Sequence, residues 1–173
     1  MFQKILVALD RSSEASTVFD FALSVAQPET SQMLLIHFID WQMQEVSPLV
    51  GVGTLYDVAL SGDRHNWSRE HLQKEIEHSK SWLKIYSERA CALNISCEFE
   101  CRVGNCNLGI GDRAKKWGAD LIVIGRRGHK NISEILLGSV SNYVIHHAPC
   151  SVFVVQGVKV ARADVSAKAT DVK

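Results

Sequence analysis

Apolar positions fall into two kinds of run along this chain. Ile5-Leu6-Val7-Ala8-Leu9 is continuous, which predicts a strand buried on both faces over residues 2–10. Ala15, Val18, Phe19, Ala22, Leu23 and Ala26 then recur at helical spacing. Ser12 or Ser13 offers an N-cap, Glu14 suits the first turn, and Pro28 stops the helix. Residues 33–39 predict a second buried strand. Residues 66–93 predict the longest helix, with Leu72, Ile76, Ser79, Leu83, Tyr86 and Ala90 on one face. Residues 95–103 alternate as a third strand, and Gly104-Asn105 turns the chain. A helix over 107–117 is closed by Gly118, although Gly109 and Gly111 each cost it about 1 kcal/mol against alanine. Residues 120–124 form a fourth strand, 139–147 a last helix stopped by Ala148-Pro149, and 151–155 a fifth strand. Strands and helices in alternation predict βαβ units, hence an α/β fold with a parallel sheet.

Two segments fit neither period. Residues 41–65 hold Pro48, Gly51, Gly53 and Gly62 among scattered apolar residues. They are either a variable surface insertion with a short helix or a lid or partner surface. Residues 157–173 are rich in Ala, Lys, Asp, Ser and Thr and read as a mobile C-terminal tail.

Composition narrows the function. The chain has 173 residues, enough for one domain with a real core. Its 19 Lys and Arg balance 19 Asp and Glu, which argues against nucleic acid as main partner. Five cysteines, an odd count without a Cys-x-x-Cys pair or a secretory signal, point to free thiols in a reducing, cytoplasmic setting. The first apolar run is too short to span a membrane. His71 and His78 lie two turns apart on the long helix and lack a third ligand for a metal.

The chemistry concentrates after the fourth strand. Gly125-Arg126-Arg127-Gly128 is followed by nine residues and then Gly138-Ser139. Glycines without a Cβ let the backbone approach a ligand, and N–H groups at a helix start favour an anion. Gly138, Ser139 and Val140 are expected to offer such groups.

This Gly-x2-Gly-x9-Gly-Ser pattern resembles the signature of universal stress proteins, specifically their ATP-binding branch. Residues 4–10 with Ser12, Ser13 and Glu14 look like the family's first strand and turn, and residues 34–40 like its second strand. The resemblance covers residues 1–156, read as one nucleotide-binding domain with 41–65 as its variable insertion. It implies one three-layer domain, an open five-stranded sheet of order 3-2-1-4-5, and ATP with Mg2+ or Mn2+ as ligand. Ligands of such sheets sit where strand order reverses, here between the first and fourth strands.

The residues to which the resemblance assigns the nucleotide follow the strand ends. Ala8, Leu9 and Asp10 leave the first strand, with Asp10 either accepting from ribose hydroxyls or serving as a turn residue. Phe38 occupies the position near adenine, where it lines the base pocket, packs in the core, or both. Val103 and Gly104 occupy the third-strand turn near base or ribose. Gly125, Arg127, Gly128, His129, Gly138, Ser139 and Val140 belong to the phosphate cradle. Ser139 is either a phosphate contact or a helix N-cap. His129 is either a phosphate contact, a proton carrier or a surface residue. Arg126 and Arg127 either turn inward to the phosphates or stay in solvent.

The expected function is a nucleotide-dependent regulatory switch in the stress response, read by an unidentified protein partner. A slow ATPase or self-phosphorylating protein is the alternative, and a dimeric interaction module without nucleotide is another. The chain lacks the P-loop and kinase motifs and the nucleophile elbow. The resemblance also implies a homodimer through the last strand, and the apolar edge Ser151–Val155 agrees with it.

Overall fold

The computed structural model describes residues 2–40, 56–126 and 137–156, with side chains of the long helix described from Arg69 onward. Five parallel strands run in the order β3-β2-β1-β4-β5. They are β1 (Lys4–Ala8), β2 (Gln32–Ile39), β3 (Ser96–Val103), β4 (Leu121–Gly125) and β5 (Ser151–Val155). The helices are α1 (Ala15–Val25), α2 (Tyr56–Cys91), α3 (Cys106–Trp117) and α4 (Ser139–His147). The α/β class and strand order agree with the sequence reading.

Both faces of the sheet are covered, which is why β1, β2 and β4 are apolar without alternation. Ile5 and Val7 pack with Val18, Phe19 and Ala22 of α1 and Leu83 and Ala90 of α2. Leu6 and Ile36 turn to the other face and meet Ile110 and Ala114 of α3 and Val144 of α4. Asp120 joins the amino ends of β1 and β4. Its carboxylate accepts from the N–H of Gln3 at 2.7 Å and of Lys4 at 3.1 Å.

The edge strands differ. Along β3, Cys97, Phe99 and Cys101 pack toward the α1–α2 core, so Glu98, Glu100 and Arg102 fall on the opposite face. The Arg113 guanidinium of α3 binds both oxygens of Glu100, and Arg102 donates to the same carboxylate at 2.9 Å. Arg113 is the chief cause that holds the Glu100 carboxyl below its ordinary value. At β5, Phe153 is 40% exposed and meets Phe21 of α1 with ring centroids 4.9 Å apart.

Three local expectations are corrected. Helix α2 begins at Tyr56, ten residues before the expected start. The apolar stripe begins only near Leu72, because the preceding turns have no sheet beneath them to pack on. Neither Ser12 nor Ser13 caps α1. Glu14 holds that position in a helical conformation without a side-chain cap bond. Ser139 is likewise the first helical residue of α4, and Gly138 is its N-cap. Residues 41–55 of the insertion and the whole 157–173 tail lie outside the described residues.

Candidate functional site

Strand order reverses beside β1, which pairs with β2 on one side and β4 on the other. The carboxyl ends of β1 and β4 therefore border the crevice where such sheets take ligands. Ala8 ends β1, in register with Ile36 and Ile124. Leu9 extends the pairing by one bond, its N–H donating to Ile36 O at 2.9 Å. Gly125 ends β4 in register with Val155.

Asp10 follows at the mouth of the crevice, half-buried. Its Oδ1 accepts from the Ser12 N–H at 3.2 Å and the Ser12 hydroxyl at 2.5 Å. Ser12 Oγ in turn accepts from the Glu14 N–H at 3.3 Å. The serine that sequence reading offered as a cap thus ties the carboxylate to the chain. The bonds to Ser12 both fall on Oδ1, and among the described residues none falls on Oδ2.

Opposite Asp10, the chain leaves β4 and returns at α4. The main chain of Arg126 closes this excursion. Its N–H donates to Val155 O at 2.7 Å, and its carbonyl accepts from the Gly138 N–H at 2.8 Å. The Ser141 hydroxyl lies 3.0 Å from both Arg126 O and Gly138 O, and Ser141 is buried. The Gly138 N–H is therefore engaged, contrary to the expectation that it awaits an anion. The donors left by helix geometry are the N–H groups of Ser139, Val140 and Ser141, since the first bond of α4 runs from Asn142 N to Gly138 O. Ser139 is exposed and Val140 half-buried. Arg126 is half-buried. Arg127, Gly128 and His129 lie outside the described residues.

The base-side residues also meet at the carboxyl edge. Phe38 is the register partner of Arg102, and Ile39 of Val103. Gly104 accommodates φ +134°, a conformation side chains resist, while its N–H donates to Ile39 O at 3.0 Å. Phe38 packs on the α3 side, and its ring fills the space that a Cβ on Gly109 would occupy. That contact answers for one of the two helix glycines. A Cβ on Gly111 would meet nothing nearer than 3.9 Å.

Sequence reading missed His37. It interrupts an apolar run in β2, and that anomaly was its only signal. The side chain is buried, and its Nδ1 lies 2.9 Å from Leu9 O. A carbonyl only accepts, so Nδ1 carries the proton. Burial chiefly lowers the pKa and keeps the ring neutral. The ring meets Trp82 of α2 edge-on, centroids 5.6 Å apart. Arg11 was also missed. It donates to Glu75 of α2 at 2.8 Å.

Chemically, the crevice sets a carboxylate acceptor against a row of helix N-terminal donors. This arrangement suits a molecule with hydroxyls at one end and phosphates at the other. Among the described residues no three His, Cys, Asp or Glu side chains group to hold a metal. A cavity of about 230 Å³ lies elsewhere, between α3 and α4, beside Asp112, Lys115, Tyr143 and His147. It is a groove between helices, and neither Asp10, Gly125 nor Ser139 lines it.

Residues 1–156 match the model of the Universal stress protein family. Universal stress protein Sll1388 of Synechocystis is 39% identical over 155 residues, covering 90% of this chain and 98% of the relative. The solved structure of MJ0577 superposes with a TM-score of 0.71 at 23% identity, covering 91% of this chain and 98% of that one. A universal stress protein in complex with cAMP gives 0.57 at 20% identity, covering 89% and 96%. An Arabidopsis thaliana family protein with AMP bound gives 0.60 at 16% identity, covering 91% and 93%. At these identities the structures share the fold with this chain.

Proposed function

The chain belongs to the universal stress protein family, and from that premise we propose that it is an ATP-binding regulatory switch of the stress response. One observation carries the reading. Asp10 and the first N–H groups of α4 flank the crevice where strand order reverses, and the Gly138 N–H donating to Arg126 O holds the start of α4 beside the end of β4. Two proteins of the same fold are described with adenine nucleotides, cAMP in one and AMP in the other.

In this reading Asp10 Oδ2 accepts from the ribose hydroxyls. The main chain of Ala8 and Leu9 borders the sugar, and Phe38, Val103 and Gly104 border the base. Gly125, Arg127, Gly128 and His129 form the loop over the phosphates. Gly138 shapes the helix start, while Ser139 and Val140 donate N–H groups to phosphate oxygens, favoured by the helix dipole. Mg2+ or Mn2+ would supply charge neutralisation on the phosphates.

We further propose a homodimer that pairs β5 edges. The half-exposed Phe153 on β5, which pairs only with β4 among the described residues, supports it. A cytoplasmic location fits the five free cysteines. Among the described residues no helix is long and apolar enough to cross a membrane.

The test is nucleotide content. Gently purified protein is denatured, and the supernatant is resolved by anion exchange. ATP is expected from the native chain and lost when Gly128→Trp and Ser139→Trp are introduced. Protein that is empty and also refuses added ATP would sink the reading in favour of an interaction module. Release of mainly ADP would redirect it to slow hydrolysis.

A further inference from the structure

Helix α2 outruns the sheet it covers. Its 36 residues extend about 54 Å, against about 26 Å for the eight residues of β3. It links two parallel neighbours, so it runs antiparallel to β3, and Ser87 Oγ donates to Cys97 O at 2.8 Å near the strand's start. The ion pair Arg11–Glu75 marks where the helix passes the carboxyl edge of the sheet, because Arg11 lies three residues beyond the end of β1. Residues 56–74 therefore project about 28 Å past the crevice.

Two contacts tie the emerging helix to the exit of β1. Arg11 holds Glu75 at 2.8 Å. Leu9 O holds His37, which stands edge-on to Trp82. Glu75 and Trp82 are seven residues apart, two turns along one helix face. Leu9 precedes Asp10 and Arg11 follows it, so the two contacts bracket the carboxylate assigned to ribose.

We infer that α2 reports whether the site beside Asp10 is occupied, through the Arg11–Glu75 ion pair and the Leu9–His37–Trp82 contact. The inference rests on the nucleotide reading and adds its output element. A ligand on Asp10 fixes the turn from Leu9 to Ser12. That lowers the entropy lost in keeping Arg11 on Glu75, and the projecting helix is steadied. Coupling is reciprocal, so the ion pair also strengthens nucleotide binding. An exposed pair transmits only a few-fold effect.

The experiment is amide hydrogen exchange on the full chain with and without ATP and Mg2+, alongside an ATP titration. Native protein, Arg11→Ala, Glu75→Gln and the swap Arg11→Glu with Glu75→Arg are compared. ATP is expected to slow exchange over residues 69–80 in the native chain. Each single variant should lose most of that response and about two- to fivefold in ATP affinity, and the swap should recover both. ATP binding with no change in α2, a full response in the single variants, or a swap that fails to recover would overturn the inference and leave the nucleotide reading standing. A native chain that binds no ATP in the same titration defeats both.

Discussion

Phe38 of β2 and Gly109 of α3 are fitted to each other, the phenyl ring filling the volume that any side chain on the glycine would need. Helix and strand thereby meet at the carboxyl edge of the sheet, on the side assigned to the base.

This fit sets apart two glycines in one helix. Gly109→Ala improves helix propensity yet is expected to destabilise the fold by about 1–3 kcal/mol, because the ring must move. Gly111→Ala has room, with its nearest neighbour 3.9 Å away, and is expected to stabilise by about 0.5–1 kcal/mol. Urea unfolding of both variants checks the opposite signs. ATP affinity should fall in Gly109→Ala alone.

Ser141 closes the excursion between β4 and α4 through its contacts with Arg126 O and Gly138 O. Ser141→Ala is expected to lower stability by about 1 kcal/mol. It should weaken ATP binding more than a substitution at the exposed Ile145 one turn further along α4, because the cradle loses a fixed end. Calorimetric titration of both variants decides between a cradle role and simple packing.

His37 is held neutral in the fold chiefly by burial. Its contribution to stability is complete above the ordinary value of 6.5. It is lost as pH falls below that value, because the unfolded chain then takes a proton that the folded ring refuses. His37→Gln should be less stable at neutral pH but should lose less between about pH 7.5 and about pH 5.5. Equal losses in the two proteins would show that His37 does not titrate this way.

Phe153 lies half-exposed on β5, which pairs only with β4 among the described residues. Phe153→Lys is expected to convert a dimer to monomer in sedimentation at micromolar protein, with the thermal midpoint little changed at high dilution. A native chain that sediments only as monomer removes the dimer proposal.

The strands were legible because burial on both faces leaves an uninterrupted apolar run, as in Ile5-Leu6-Val7. The first half of α2 was not, because residues 56–65 have no sheet beneath them and so carry no stripe. The caps misled for another reason. Ser12 has the chemistry of a cap, but its hydroxyl is drawn to Asp10 two residues earlier. Of the candidate site, the places of Asp10 beyond β1 and of Gly125 at the end of β4 could be read directly. Gly138 was identified but its N–H was misassigned, because nothing local reveals that Arg126 O returns to claim it. His37 and Arg11 act through partners 28 and 64 positions away, at Leu9 and Glu75, and no short window contains both members of such a pair.

The unequal rims of the sheet bear on stoichiometry. Two copies joined β5 to β5 across a twofold axis consume both apolar rims at once. The merged sheet, five strands from each copy, then ends in β3 on both sides. There Glu98, Glu100 and Arg102 meet any further strand with charge. The proposed dimer would stop at two without a separate device, and crowding would then raise its fraction without seeding a filament.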